Sequence, residues 1–391
     1  MEILSRSTIL YINQTRQDSF DKLIGKGFSE ALSWRNTFKK VIFICYSSNN
    51  QYLFKKIYGN CFLIGLPFDL SFSKIKSVIN IGKNYLNLFY VLHNLSKILD
   101  IDLIRIENLL LSGPPVHAFS IIKKIPYIIW LGGNERKSLV LKYGKNVFSL
   151  LLSKIIILFE RVLLSKANFV FPVTEELLEL TNKRKVKNKY LSPNYVDLTK
   201  FKKILSERKD PDPNLHVLYV GRFEEEKGIR TLLKSIKILF EEIDIFELWL
   251  VGDGSLKPWI MNFISEFKME KVKLLGKFDH DEMPKIYNSG DIFVLPSLTE
   301  GSPASLIEAM SCGTASIATK VGECVNIIKN RYNGLLVEPD NPNKLSQAIK
   351  KLILDKELRE KFSKNGRKSI VNYTKNYKKI HEHVYKKILN Q

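Results

Sequence analysis

Along this chain, short runs of apolar, mostly β-branched and aromatic residues alternate with longer stretches whose apolar positions recur at helical spacing. In the first half the runs are TILYIN (8–13), VIFICY (41–46), CFLIGLPF (61–68), DLIRIEN (102–108), YIIWL (127–131) and NFVFPV (168–173). In the second they are HVLYV (216–220), ELWLV (247–251), VKLLG (272–276), DIFVLP (291–296), ASIAT (315–319) and GLLVE (334–338). Strands separated by helix-length segments predict parallel sheets with helical crossovers. A polar, lysine-rich stretch over 183–214, ending in Pro211 and Pro213, divides the two series and reads as a connection between domains. The expected class is α/β, with two doubly wound parallel-sheet domains and a cleft between them. Ligands in such sheets bind beyond the carboxyl ends of the strands.

One segment departs from the pattern. In NVFSLLLSKIIILFERVLLSK (146–166), Ser149, Ser153, Lys154, Glu160, Arg161 and Ser165 fall on one side of a helix, interrupted by Leu150, Ile157 and Leu164. Three internal charges exclude a transmembrane span. A mostly buried core helix or an amphipathic helix lying on a bilayer remains.

Composition narrows the class. At 391 residues two domains are expected, and 45% hydrophobic with 26% charged residues describes a folded soluble chain. Cys45, Cys61, Cys312 and Cys324 form no C-x-x-C pair and have no His at metal spacing, so they read as reduced core thiols of a cytosolic protein, with no metal site. The first apolar run is too short and polar-flanked for a signal peptide. Net charge is +21, and residues 1–200 hold 29 Lys and Arg against 14 Asp and Glu, leaving +15 on that half. Such asymmetry suits an anionic surface or substrate, although a Lys/Ile/Asn-rich composition produces the same excess. No nucleic-acid-binding motif accompanies it.

Candidate chemistry lies in the loops after the strands of the second half. After HVLYV, GRFEEEKGIRTLL places Gly221 at a sharp turn, Arg222 and Lys227 near the strand end, and Gly228 at a helix start. Two cations beside free helix N–H groups make a diphosphate site. After ELWLV, Gly252 and Gly254 permit close backbone approach to a ligand, and after VKLLG, Lys277 and Phe278 stand where a nucleobase could stack or bond to backbone. After DIFVLP comes TEGSPASLIEAM (299–310), with Glu300 before a turn, Ser302 as expected N-cap, Pro303 at the first helical position and Gly313 as the stop. Glu308 falls among apolar neighbours on the second turn. A carboxylate there needs partners, and a sugar diol offers two O–H donors to one carboxylate.

Taken in order, GRF-x4-KG, LVGDG, LLGKF, E-G-x-P-x4-E-A-M-S-C-G and NGLLVEPDNPNKL (333–345) resemble the retaining glycosyltransferases of the group 1 (family 4) type, with GT-B architecture. The resemblance is close over 190–350 and weaker over 100–190. It implies an acceptor-side Rossmann-like domain over 1–200, a nucleotide-sugar-binding domain over 201–370 and a terminal helix over 371–391 returning to the first. It further implies that Arg222 and Lys227 hold the donor diphosphate, that Glu308 binds the ribose hydroxyls and that Glu300 contacts the transferred sugar. The backbone of Gly301, Ser302 and Pro303, continuing into Ala304 and Ser305, would bind the sugar hydroxyls and the diphosphate. The implied reaction moves a sugar from a UDP- or GDP-sugar to a glycan or lipid-linked acceptor, with no cofactor and no metal. Where many relatives carry His-Gly after the strand matching YIIWL, this chain has Gly132, and Glu107, Asn108, Asn134 and Glu135 are the candidate acceptor-side replacements. A nucleotide-sugar epimerase is the alternative enzyme, and a non-catalytic nucleotide-sugar-binding protein the alternative class. The basic N-terminal half suits a cytoplasmic protein peripheral to the inner membrane face, with a lipid-linked acceptor as partner.

Overall fold

The computed structural model describes residues 2–17, 26–47, 52–67, 74–132, 147–192, 194–204 and 215–391. The chain divides into two compact units, one of residues 1–193 with 378–391 and one of residues 194–377.

The first unit contains α1 (Glu2–Arg6), β1 (Thr8–Gln17), α2 (Lys26–Ser33), β2 (Lys40–Ser47), β3 (Leu53–Tyr58), β4 (Cys61–Pro67), α3 (Lys74–Ile98), β5 (Leu103–Ile106), α4 (Leu109–Lys123), β6 (Tyr127–Leu131), α5 (Val147–Lys166), β7 (Phe169–Pro172) and α6 (Glu175–Lys183). Its sheet runs β3-β4-β2-β1-β5-β6-β7, parallel except for the β3–β4 pair. That edge strand is absent from the sequence reading, because Lys55 and Lys56 interrupt its apolar run; edge strands carry lysines that discourage further pairing. Side-chain alternation sends Leu10, Ile12, Ile104, Ile106 and Ile129 into a core with Leu88 and Leu92 of α3, Val116 and Phe119 of α4 and Leu163 and Leu164 of α5.

The intervening residues Tyr11 and Arg105 reach a buried polar cluster instead. Arg105 is fully buried and paired with both oxygens of Glu30, at 2.9 Å for Nη2–Oε2, and its Nη1 donates to the Tyr385 hydroxyl at 3.2 Å. His381 lies 2.8 Å from Ser192 Oγ and 3.2 Å from the Tyr385 hydroxyl, and its ring stacks on Phe171 at 3.9 Å. Burial, followed by the Arg105 charge, drives the His381 pKa well below the usual imidazole value.

Among its described side chains, helix α5 is buried along one side only. Ile156, Leu163 and Leu164 are buried while Leu158, Phe159 and Val162 are exposed. Glu160, expected on the polar side, is buried and accepts from Arg184 Nε at 2.6 Å. Burying a carboxylate requires such a partner.

The second unit contains β8 (Leu215–Val220), α7 (Ile229–Phe240), β9 (Phe246–Val251), α8 (Lys257–Glu266), β10 (Val272–Gly276), α9 (Met283–Ser289), β11 (Ile292–Leu295), α10 (Ala304–Cys312), β12 (Ala315–Thr319), α11 (Cys324–Ile327), β13 (Leu335–Val337) and α12 (Pro342–Leu354). The wholly parallel sheet runs β10-β9-β8-β11-β12-β13, with apolar cores on both faces. The last helix, α13 (Lys356–Leu389), belongs to the second unit up to Tyr377 and to the first from Lys378. Strand order reverses between β8 and β11, so the loops that follow these two strands lie at the switch point of the sheet's carboxyl edge. All four cysteines are free and buried, and burial pushes the Cys45 and Cys312 thiols up to about 12.

Candidate functional site

The loops at the reversal carry the charged residues that the sequence singled out. Gly221 receives the end of β8, and Arg222 follows with a side chain about two-thirds exposed, its Nη2 2.7 Å from Glu226 Oε1. A single turn, Glu225–Lys227, then leads through Gly228 into α7. Gly228 sits at φ 64°, and a Cβ there would stand 1.9 Å from the Pro296 carbonyl oxygen, so only glycine lets the β8 loop lie against the β11 loop. Leu298 N–H closes the same contact by donating to the Glu226 carbonyl at 2.9 Å.

That approach joins Lys227 to Glu300. Lys227 Nζ lies 2.6 Å from Glu300 Oε1, and Ser297 Oγ donates to the same oxygen at 2.7 Å. Thr319 Oγ1 in turn donates to the Ser297 carbonyl at 2.6 Å. The Glu300 carboxylate is only 7% exposed and Lys227 21%, a largely desolvated pair at the carboxyl edge of the second sheet. The sequence reading assigned these residues to separate partners; the structure joins them, and the ammonium retains two further donors.

Helix α10 begins differently from expectation. Its N-cap is Pro303, in extended conformation, with no side-chain cap, and the helix starts at Ala304. Ser302 is occupied elsewhere: its Oγ accepts from Asn194 N–H at 2.8 Å and its carbonyl from Asn194 Nδ2 at 2.7 Å. The first-turn amides of Ala304, Ser305 and Leu306 therefore lack the side-chain acceptor a serine cap supplies, leaving a helix start suited to an anion. At the other end Gly313 takes φ 80° and stops the helix as expected. Glu308 is buried and accepts from the Tyr287 hydroxyl at 2.9 Å.

The remaining loops complete the edge. Gly252 has φ 141°, and a Cβ there would meet the Gly221 carbonyl oxygen at 1.9 Å; one at Gly254 would meet Phe223 backbone at 2.5 Å. These glycines serve backbone-to-backbone packing of the β8 and β9 loops. Lys277 is exposed, 3.5 Å from Asp253, and Phe278 is partly buried against the sheet core. A hydrogen bond from Gly254 N–H holds the Asp253 carboxyl below its ordinary value, as bonds from Ser255 do for Glu224. Sequence reasoning missed Ser297, Tyr287, Asn194, Thr319 and Gly322. Gly322 has φ 47°, and a Cβ there would stand 1.9 Å from the Glu300 carbonyl oxygen, so the β12 loop fits beneath Gly301 only with glycine. Its signal was present in VGE after ASIAT, but no sequence-local rule ties it to Glu300.

Of the acceptor-side candidates, Glu107 stands at the end of β5, at the reversal point of the first sheet, where it accepts from Asn13 Nδ2 and lies 3.5 Å from Arg105. Asn108 is a helix cap, its Oδ1 accepting from Leu110 and Leu111 N–H at 3.1 Å each. Asn134 and Glu135 lie outside the described residues. Gly132 is exposed, and a Cβ there would stand 2.5 Å from Trp130 Cζ3, so the indole fills the space a side chain at 132 would enter. Among the described residues, no group of three His, Cys, Asp or Glu side chains is placed to hold a metal ion.

Comparison with known proteins bears out the motif resemblance. Residues 200–369 match the family model described as glycosyl transferases group 1. An uncharacterised glycosyltransferase of Methanocaldococcus jannaschii is 38% identical over 150 residues, covering 38% of this chain and 41% of the relative. The UDP-Gal:alpha-D-GlcNAc-diphosphoundecaprenol alpha-1,3-galactosyltransferase of Escherichia coli is 31% identical over 193 residues, covering 46% and 49% respectively. The chain thus spans less than half the length of these curated relatives. Sucrose-phosphate synthase from Thermosynechococcus elongatus superposes with TM-score 0.76 at 22% identity, over 98% of this chain and all of that one. The fold is the GT-B architecture of two Rossmann-like units.

Proposed function

With residues 200–369 as a glycosyl transferases group 1 domain within a GT-B fold, we propose that this protein transfers a sugar from a nucleoside-diphosphate sugar to a glycan or lipid-linked hydroxyl acceptor. The observation that carries the reading is the meeting of the Lys227–Glu300 pair and the side-chain-uncapped start of α10 at the reversal point of the second sheet. Breaking the sugar–phosphate bond leaves an oxocarbenium-like sugar and a diphosphate gaining negative charge. Lys227, Arg222 and the first-turn amides of α10 supply preorganised positive potential for that leaving group, in the role a divalent ion has elsewhere, and the proposed reaction needs no metal. Glu300, anchored by Lys227 and Ser297, faces the transferred sugar, and Glu308 takes the ribose diol. Retention of configuration is proposed with the family resemblance. UDP is the first donor nucleotide to test, since the galactosyltransferase relative is named for UDP-Gal.

The same name specifies a diphosphoundecaprenol acceptor, and two features of this chain suit one at a membrane. Among the described residues no helix is long and apolar enough to cross a bilayer. Helix α5 instead exposes Leu158, Phe159 and Val162 beside the exposed Lys154, Arg161 and Lys166, on the half carrying net +15. The peripheral inner-face location is proposed on that basis. The test is transfer of labelled sugar from UDP- and GDP-sugars in EDTA to polyprenyl-diphosphate sugars, with the anomeric configuration of the product read by NMR. A product of inverted configuration, or turnover of donor into an epimer without acceptor, overturns the proposal.

A further inference from the structure

The carboxylate assigned to the ribose does not stand alone. Tyr287 on α9 is fully buried, its hydroxyl donating to Glu308 Oε2 at 2.9 Å. The ring is held edge-on by Phe293 at 6.0 Å and tilted against Phe201 at 6.1 Å. Its main-chain carbonyl accepts from Thr314 Oγ1 at 2.7 Å. Tyr287 is therefore gripped at both ends of the residue, and the hydroxyl has one direction to offer its proton. Glu308, by contrast, has three rotatable side-chain bonds, so its carboxylate plane is set by whatever it bonds.

We propose that Tyr287 is a positioning residue of the nucleoside subsite, fixing the Glu308 carboxylate in the orientation that accepts the ribose hydroxyls and thereby setting the preference for ribonucleotides over deoxyribonucleotides. The inference rests on the reading of Glu308 as the ribose carboxylate. Burial first, and the Glu308 charge second, raise the phenol well above its ordinary value, so it stays a donor across working pH. One turn along α10, burial and the same charge push the Cys312 thiol up to about 12, so no second anion competes for that donor.

The test is calorimetric titration of UDP and GDP, each in ribo and 2′-deoxy form, into wild type, Tyr287→Phe, Glu308→Gln and the double variant. Loss of a hydrogen bond to a charged group corresponds to about 10- to 150-fold weaker binding of the preferred ribonucleotide by Tyr287→Phe. The 2′-deoxy form, which keeps only the 3′ hydroxyl for Glu308, is expected to lose less affinity in that variant, and the phenylalanine is expected to have no further effect once Glu308→Gln is present. The loss is expected in donor KM rather than kcat. Equal weakening of both forms, or an unaltered ribonucleotide preference, overturns the assignment of Tyr287. A Glu308→Gln variant that keeps the preference overturns the ribose reading of Glu308 itself, which separates the two failures. Should Tyr287→Phe not fold, Thr314→Val carries the test by releasing the Tyr287 main-chain carbonyl from its anchor; a reduced ribonucleotide preference is expected, and an unaltered one contradicts the proposal.

Discussion

At the scale of single residues, the two glutamates of the α10 region differ in what they are bonded to, and their substitutions should differ accordingly. Glu300 is tied to Lys227 and Ser297. Removing its charge frees the ammonium, so Glu300→Gln should leave affinity for the bare nucleoside diphosphate unchanged or higher while slowing transfer, as titration and initial rates would read. Glu308→Ala should weaken binding of nucleoside and nucleoside diphosphate alike; equal affinity losses for the two variants would refute this division. Lys227→Ala has a second consequence. It strands a carboxylate that is only 7% exposed, so thermal melts should register a loss of about 1–3 kcal/mol, whereas Arg222→Ala at an exposed position should leave the melt unaltered. The carboxylates were legible in the sequence because a buried acid inside an apolar helix demands a partner. Their actual partners were not, because Lys227 and Glu300 are 73 residues apart and meet only through the close loop contact at Gly228.

At the scale of elements, short continuous apolar runs located twelve of the thirteen strands named above, usually within one or two residues of their ends. The exception, β3, is an edge strand whose lysines disguise it. The N-cap of α10 was misread because Ser302 satisfies the local capping rule yet is taken by Asn194, 108 residues away. Glycines that look interchangeable in sequence have distinct roles in the fold. Gly228→Ala should destabilise by more than about 1–2 kcal/mol, the left-handed cost alone, because its Cβ also collides with the Pro296 carbonyl. Gly59→Ala, with nothing within 4 Å of its Cβ, should cost far less in the same denaturation series. The end of α13 carries a pH dependence. Folded His381 resists protonation, whereas the unfolded chain binds that proton below about 6.5, the ordinary imidazole value. The unfolded state then holds more protons, so stability should fall as pH drops below 6.5, by up to about 1.4 kcal/mol per pH unit. Melts of wild type and His381→Gln at pH 7.5 and 5.5 check this; the variant should lose less between the two pH values, and an identical loss would contradict the assignment.

For the whole molecule, the sequence announced two Rossmann-like sheets but left the acceptor half open; Asn108 proves to be a cap and Trp130 fills the space beside Gly132. The exposed apolar side chains of α5 beside its basic residues predict sedimentation with anionic vesicles at low salt and release at high salt. Leu158→Ser with Phe159→Ser should reduce that binding without altering nucleotide affinity; vesicle-independent behaviour in low salt would leave α5 with no membrane role. The nucleotide site is the more basic claim, and calorimetry of nucleoside diphosphates and nucleotide sugars in EDTA addresses it directly. One nucleoside diphosphate should bind wild type without metal, and Arg222→Ala and Lys227→Ala should each weaken it by about 1.5–3 kcal/mol, the range for hydrogen bonds to charged groups. Absence of binding by every nucleotide, a strict Mg²⁺ requirement, or affinity unchanged in both variants would contradict the site.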